Sequence, residues 1–303
     1  MWSRLRIAIS LVMAKVGVVG HRGFIGTTLS HTLKSINHEV IGIGKDNYSH
    51  FLNNQLESLI ELDDIVWCAS LTNPSTAKIR PDLVEKELHD WTSFLSRLSK
   101  FVKVSPRIIF ISSGGCVYSE EGPCFSELDV ARGNNEYGRL KSSMELELEA
   151  RNNNYVILRA SNIYGPGQST GRGQGVIAEW IEKAMCNMPI TLFGEMNKKR
   201  DYLYVDDFVR AVDKIISSNQ KENLVLNIGS GRSHSLEEVM TFIQKATEIE
   251  FKIHHEEARS FDRPSYWLDV TLAKQKLGWS PSIDLEEGIA KCVDFRRKQV
   301  DLY

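Results

Sequence analysis

Two residues near the middle of the chain, Tyr137 and Lys141, have the types and the spacing that acid–base chemistry needs. Side chains at positions i and i+4 of a helix share one face, so the ammonium of Lys141 would lie near the phenol of Tyr137. A neighbouring positive charge favours the phenolate and lowers the pKa of a tyrosine from its reference of about 10. The spacing therefore predicts that Tyr137 is a general acid or base, although a tyrosine and a lysine four residues apart also occur by chance on protein surfaces.

A second candidate is the string Gly-His-Arg-Gly-Phe-Ile-Gly at residues 20–26, which has the composition of a phosphate-binding turn. Glycines at this spacing permit a tight turn, close approach of the backbone to a pyrophosphate, and close packing of a helix on a strand. The string lies directly after an apolar run and directly before a helical pattern. This position favours a dinucleotide site over a glycine-rich turn without a ligand.

The first half of the chain alternates short β-branched runs with segments of helical periodicity, and these elements would position both candidates. The runs are residues 16–19, 40–43, 65–67, 108–111 and 156–158, and the main helical segments are residues 24–36, 81–98 and 136–153. The alternation predicts an α/β fold, a Rossmann-type doubly wound parallel sheet with helices on both faces. The runs are almost wholly apolar, as expected of strands that are covered on both sides.

The sequence changes in character after about Ser161, where glycine and proline cluster. We predict a dinucleotide-binding domain over residues 13–160, followed over 161–303 by a smaller mixed α/β region that binds the substrate and supplies the last strands of the sheet. Residues 1–12 are expected to form a loose extension, with Met13 as the natural start. They do not resemble a signal peptide, because their apolar stretch continues without a cleavage site into the first core strand.

The composition argues against several classes of protein. The 303 residues carry 37 Lys and Arg against 39 Asp and Glu, a formal net charge of −2, so no basic surface for nucleic acid or an anionic membrane is expected. No apolar segment reaches the roughly 18 residues that a membrane-spanning helix needs. The five cysteines form no C-x-x-C pair, and His254 and His255 are adjacent, so we expect no metal site and a reducing cytoplasmic location.

Taken in order, the motifs resemble the extended short-chain dehydrogenase/reductase family, in particular its nucleotide-sugar epimerases, dehydratases and ketoreductases. The resemblance covers almost the whole chain. It depends on the segments 20–26, 110–118, 158–167, 200–207 and 259–262, together with Tyr137 and Lys141. It implies that the tyrosine exchanges a proton with a sugar hydroxyl or ketone, that the lysine binds the nicotinamide ribose, and that a bound NAD or NADP carries the redox step.

The resemblance also assigns residues to the two ligands. The residues implied to bind the cofactor are Gly20, Arg22, Gly23, Phe24, Ile25, Gly26, Lys45, Ala69, Tyr137 and Lys141. Those implied to bind a nucleoside-diphosphate sugar are Asn162, Arg200 and Arg259 at the diphosphate and Phe193 beside the base. A guanidinium suits this role, because its planar fork bonds phosphate oxygens in pairs. Phe193 is equally compatible with a core aromatic, and a homodimer through the helix of Tyr137 and its neighbour is usual in the family.

The first departure from the family pattern concerns a catalytic group. The family usually has a catalytic Ser or Thr where this chain has Gly114, so the hydroxyl must come from Ser113 or Ser112 or be absent. Cys116 is nearby, but a thiol is a weak donor. We therefore take Ser113 as the third catalytic candidate. In addition, Glu87 stands where many members have an asparagine.

A third departure concerns the cofactor. NAD-specific members end the second strand with an acidic residue that binds the ribose hydroxyls, but this strand is followed by Gly44 and Lys45. Arg22 and Lys45 would face a 2′-phosphate, and the loop that contains Arg22 looks like that of NADPH-using GDP-fucose synthases. Asp46 is an alternative ribose ligand. We therefore expect NADP(H) to be preferred, with NAD as the alternative.

The cofactor bears on the reaction, because a net ketoreductase consumes a reduced cofactor whereas an epimerase retains its NAD. We expect oxidoreduction at C4 of a UDP- or dTDP-hexose, in the form of reduction of a 4-keto-6-deoxy sugar nucleotide for surface-polysaccharide biosynthesis. A UDP-hexose 4-epimerase with tightly bound NAD is the alternative. A non-catalytic dinucleotide-binding interaction protein is the alternative of another class, and only Gly114 favours it.

Overall fold

The computed structural model of the chain describes residues 13–44, 61–101, 105–119, 122–152, 154–171, 174–218, 222–258 and 265–300. The strands there are β1 (Lys15–Val19), β2 (Glu39–Ile43), β3 (Asp64–Trp67), β4 (Arg107–Ser113), β5 (Cys124–Phe125), β6 (Tyr155–Ala160), β7 (Asn162–Tyr164), β8 (Ile190–Phe193), β9 (Lys199–Arg200), β10 (Tyr202–Tyr204), β11 (Leu224–Ile228), β12 (His234–Ser235), β13 (Ile253–Glu256) and β14 (Trp267–Leu268). The helices are α1 (Phe24–Ser35), α2 (Pro74–Ile79), α3 (Pro81–Phe101), α4 (Glu136–Arg151), α5 (Val176–Met185), α6 (Val205–Ile216), α7 (Leu236–Thr247), α8 (Thr271–Leu277) and α9 (Leu285–Val300).

A parallel sheet with the strand order β2-β1-β3-β4-β6-β11 forms the centre of the described structure. The predicted Rossmann-type α/β fold is thereby confirmed, and each predicted run and main helical segment is present with ends shifted by a few residues. Strand β2 lies on one side of β1, and the next strand in the chain, β3, lies on the other side, so the order of the strands reverses direction at β1. Ligands of such sheets bind outside the carboxyl ends of the strands at this switch point.

Helices cover both faces of the sheet, which explains why its strands are apolar on both sides. Successive residues of a strand point to opposite faces, so Ile109 of β4 enters the cluster beneath α1, α6 and α8, while Phe110 enters the cluster beneath α3 and α4. In the second cluster the fully buried Trp91 of α3 donates its indole N–H to the carbonyl of Met144 of α4 at 2.9 Å. This bond fixes α4, the helix of Tyr137, against α3.

The second half of the chain contributes both to the sheet and to a separate cluster. Strand β11 adds to the sheet beside β6, whereas α5, α7 and α9 pack with β7, β8 and β10 around a third apolar core. The division into two domains at residue 160 stays a prediction. Within the described residues, no helix combines the length and the apolar character needed to cross a bilayer.

Candidate active site

The glycine loop after β1 forms a cradle at the amino end of α1. Gly20 has a φ of +86°, which favours glycine, and its carbonyl accepts the N–H of Gly23 at 2.9 Å. A Cβ on Gly26 would collide with the carbonyl oxygen of Gly20, so the helix packs against the turn only because that position is glycine. The N-cap residue of α1 is Gly23, and no side chain accepts the N–H groups of the first turn. Those groups are therefore available to an anion. The loop therefore fits a dinucleotide pyrophosphate.

Most other residues assigned to the cofactor surround this cradle. Phe24 and Ile25 begin α1 and are half-buried, and Arg22 is exposed on the loop. Ala69 follows β3, and its backbone nitrogen lies 2.8 Å from where a Cβ of Gly20 would be, so it borders the turn. Gly44 is buried at the end of β2. Lys45 and Asp46 lie outside the described residues.

Helix α4 brings Tyr137 and Lys141 together on one face. The helix begins at Glu136 and is capped by Asn135, whose side chain accepts the N–H of Gly138 at 2.8 Å. The Lys141 ammonium lies 5.4 Å from the centre of the Tyr137 ring and 5.5 Å from that of Phe110. Lys141 is only 2% exposed, whereas Tyr137 is half-buried at the carboxyl edge of the sheet.

The Glu87 carboxylate is the closest charged partner of Lys141. Its Oε1 accepts from Lys141 Nζ at 3.0 Å and from Ser70 Oγ at 2.7 Å. Its Oε2 accepts from the N–H groups of Leu71 and Thr72 at 2.8 and 3.0 Å and from the Thr72 hydroxyl at 2.9 Å. The carboxylate and the ammonium thus form a buried pair that ties α4 to the loop after β3.

This pair changes the electrostatics that the sequence predicted. Lys141 does act to lower the pKa of Tyr137, as expected, but the expected net shift is wrong: burial raises that pKa, and with the smaller effects of Glu87 and Cys116 it outweighs the opposing effects of Lys141 and Ser70. Burial alone would lower the pKa of Lys141, but Glu87, Tyr137 and Glu145 together outweigh it and the pKa is raised. Burial would likewise raise the pKa of Glu87, yet Lys141 and the hydroxyl donors lower it. At neutral pH the site therefore holds a protonated phenol beside an ion pair.

The loop after β4 shows why a hydroxyl is missing at Gly114. A Cβ there would lie 2.6 Å from Cδ1 of Leu268 and 3.0 Å from the carbonyl oxygen of Arg159, so a serine does not fit without movement of the buried Leu268 side chain. The Ser112 hydroxyl donates to the Glu145 carboxylate, away from the crevice. Ser113 ends β4 and is half-buried, so it remains the hydroxyl candidate of this loop.

The residues assigned to the substrate lie across the crevice on the second half of the chain. The side-chain amide of Asn162 donates to the Asp201 carbonyl and to the Tyr266 hydroxyl, both at 2.8 Å. Arg200 lies near them, with its guanidinium carbon 5.8 Å from the centre of the Tyr266 ring. Both amide hydrogens of Asn162 are thus engaged, and a bond from Asn162 to a diphosphate would require one of these contacts to be exchanged.

The last two residues assigned to the substrate are Phe193 and Arg259. Phe193 ends β8, is half-buried, and pairs in register with Glu256 of β13. Arg259 lies outside the described residues. The roles of both residues stay predictions.

The sequence reasoning missed Tyr266 and Ser70. A Cβ on Gly115 would collide with the Tyr266 hydroxyl, so this phenol occupies the space beside the β4 loop. No spacing rule relates residues 115 and 266, and the only available signal was the closeness of Tyr266 to the 259–262 motif. Ser70 directly follows the predicted cofactor residue Ala69. Among the described residues, no three His, Cys, Asp or Glu side chains form a group that could hold a metal ion.

The model of a known protein family matches most of the chain, including this site. Residues 16–229 match the model of one family, described as the NAD dependent epimerase/dehydratase family. The chain belongs to this family. The match includes the glycine cradle, Tyr137, Lys141 and Arg200, and it confirms the resemblance to the nucleotide-sugar group of extended short-chain dehydrogenases/reductases.

Individual members of the family differ in the reaction for which they are named. A dTDP-4-dehydro-6-deoxyglucose reductase of Escherichia coli is 34% identical over 197 residues, which are 62% of this chain and 60% of that protein. The chain thus spans less than two thirds of that relative's length. A UDP-glucose 4-epimerase of Mycolicibacterium smegmatis is 29% identical over 93% of this chain and 98% of that protein. The solved UDP-glucose 4-epimerase of Thermotoga maritima, with UDP-glucose, is 25% identical over 94% of this chain and 99% of that structure, with a TM-score of 0.82.

Proposed function

We propose that the protein is an NAD(P)-dependent oxidoreductase that acts at C4 of a nucleoside-diphosphate hexose, and that its net reaction is reduction of a 4-keto-6-deoxy sugar nucleotide. The observation that carries the proposal is the placement of the Tyr137 phenol, with the Lys141 ammonium 5.4 Å from its ring centre, beside a cradle that fits a dinucleotide. A ketone reductase needs a proton donor at this place, because the carbonyl oxygen becomes an alkoxide as hydride reaches the carbon. The named activity of the E. coli relative supports the same reaction.

In this proposal each group of the site has a defined task. The glycine cradle would hold a reduced nicotinamide cofactor, which would supply the hydride for C4. Tyr137 donates its proton to the C4 oxygen, and Lys141 stabilises the resulting phenolate across the 5.4 Å that separates the ammonium from the ring centre. Ser113 orients the carbonyl, and Arg200 and Asn162 bind the diphosphate, with Arg259 as the second arginine. Tyr137 then recovers its proton before the next turnover.

We propose NADP(H) as the preferred cofactor, with NAD as the alternative. Gly44 places no carboxylate at the end of β2, so nothing at that position repels a 2′-phosphate. Arg22 is exposed on the cradle loop, where a guanidinium suits a phosphate. We also propose a homodimer through α3 and α4, and the 63% exposure of Leu146 on α4 supports it.

UDP-hexose 4-epimerisation is the second candidate. The M. smegmatis relative, which matches nearly all of this chain, favours it, as does the solved T. maritima enzyme. An epimerase first removes a proton from the C4 hydroxyl, so its tyrosine must act as a base. The raised pKa of Tyr137 disfavours that first step.

The test is incubation of the purified protein with a dTDP-4-keto-6-deoxyhexose and either NADPH or NADH, and separately with UDP-glucose and UDP-N-acetylglucosamine without reductant. We expect one NADPH to be oxidised for each ketone consumed, and slower reaction with NADH. Interconversion of UDP-hexoses by protein that retains bound NAD would refute the reductase and establish the epimerase. Cofactor binding without turnover of any substrate would refute both.

A further inference from the structure

The buried Glu87 side chain accepts hydrogen bonds from two separate parts of the site. It projects from α3, is 5% exposed, and accepts hydrogen bonds from Lys141 on α4 and from three residues of the loop after β3. Taking such a carboxylate out of water is costly unless it is paired and hydrogen-bonded, and here it is both. The ammonium has the same requirement, since the Lys141 side chain is only 3% exposed.

Two polar side chains that contact Glu87 also lie next to the phenol. Ser70 donates to Glu87 at 2.7 Å, and Ser70 is among the groups that act on the pKa of Tyr137. The Lys141 ammonium lies between Glu87 and the Tyr137 ring, at 3.0 Å from the carboxylate oxygen and 5.4 Å from the ring centre. Glu87 therefore contacts both Ser70 and Lys141, the two polar neighbours of the tyrosine.

We propose that Glu87 is a positioning residue for the catalytic pair: it anchors the Lys141 ammonium against the loop after β3 and compensates its charge, so that Tyr137 is kept as a proton donor. The consequence for direction, reduction rather than oxidation of the sugar, rests on the proposed function. The electrostatic part rests only on the geometry of the four residues.

The charges that face Tyr137 determine the sign of the effect. Lys141 on its own helix favours the phenolate, while Glu87 from α3 and Cys116 from the loop after β4 disfavour it. Without a carboxylate at position 87, the ammonium would act on the phenol uncompensated. In that case Tyr137 and the carboxylate of Glu145 would still favour the charged form of Lys141, against the effect of burial. Removal of the Glu87 charge must therefore make Tyr137 a stronger acid.

The experiment follows the ionisation of Tyr137 directly, in protein without substrate. Tyrosine rings are isotopically labelled and titrated by NMR, and the Tyr137 signal among the nine tyrosines is identified by its loss in Tyr137→Phe. We expect the wild-type ring to stay protonated at pH 9, and the midpoint of Glu87→Gln to lie about one pH unit or more below that of wild type. The matched control is Glu85→Gln, which removes the same charge from an exposed position on the same helix and should titrate like wild type.

Two results would overturn the proposal. One is a Tyr137 midpoint in folded Glu87→Gln that equals that of Glu85→Gln. The other is phenolate in the wild-type protein below pH 9, which decides the matter even if Glu87→Gln does not fold. Where turnover is measurable, the alkaline limb of the pH–rate profile should move down with the NMR midpoint. Absence of all turnover would refute the proposed function but leave the titration as the test of Glu87.

Discussion

Replacement of Lys141 by methionine should destabilise the fold as well as abolish the function of the active site. Methionine has a side chain of similar length that replaces the apolar stem of the lysine. It lacks the ammonium, so the Glu87 carboxylate stays buried without the charge of Lys141. Loss of one partner of a buried pair typically costs 3–5 kcal/mol. Glu87 keeps four of its five hydrogen bonds, those from Ser70, Leu71 and Thr72, so we expect the lower end, about 3 kcal/mol at pH 8.

The cost should depend on pH with a definite sign. In the wild-type protein the pKa of Glu87 is lowered, so its contribution to stability is present at neutral pH and is lost as the pH falls through that pKa. In Lys141→Met, burial without the ammonium raises the pKa of Glu87 above its unfolded value, so the variant loses stability as the pH rises through the raised pKa. The difference between variant and wild type should therefore be large at pH 8 and small at pH 5.

Urea unfolding of wild type and variant at both pH values measures this difference. Lys86→Met is the matched control, because Lys86 is exposed on α3 and pairs with Asp90 of the same helix at 3.1 Å. The double variant Lys141→Met with Glu87→Gln should recover much of the loss, since no lone charge stays buried. If Lys141→Met were as stable as Lys86→Met at pH 8, the buried pair would not contribute as argued.

Three further changes probe the remaining parts of the site. Tyr137→Phe removes only the hydroxyl, so turnover should fall well over tenfold with cofactor affinity intact; a rate within tenfold of wild type, a barrier change of about 1.4 kcal/mol, would reject Tyr137 as the acid. Arg200→Ala should raise the substrate KM at a cost of roughly 1.5–3 kcal/mol and leave cofactor affinity unchanged, as steady-state kinetics and cofactor titration would show. Gly26→Ala places a methyl group against the carbonyl of Gly20, so calorimetry should find dinucleotide binding lost; normal affinity would mean that the cradle is not the pyrophosphate site.

Local signals in the sequence were sufficient for the fold and for part of the site. Strands such as β4 are apolar over most of their length because helices cover both faces, and that pattern is visible residue by residue. The glycine loop was recognisable because a tight turn constrains residues that are adjacent in the chain. Tyr137 and Lys141 could be paired because the helical repeat by itself sets them on one face.

Contacts between distant segments required the tertiary structure. The pairing of Lys141 with Glu87 joins residues 54 positions apart, and burial of the phenol, with a smaller contribution from Glu87, reversed the predicted direction of the Tyr137 pKa. The exclusion of a side chain at Gly114 depends on Leu268, which the packing of β14 against β5 brings to the β4 loop. Periodicity fixes the face of an element on which a residue lies. The neighbours across that face, and with them the charge that a catalytic group experiences, are set by how helices and loops pack in three dimensions.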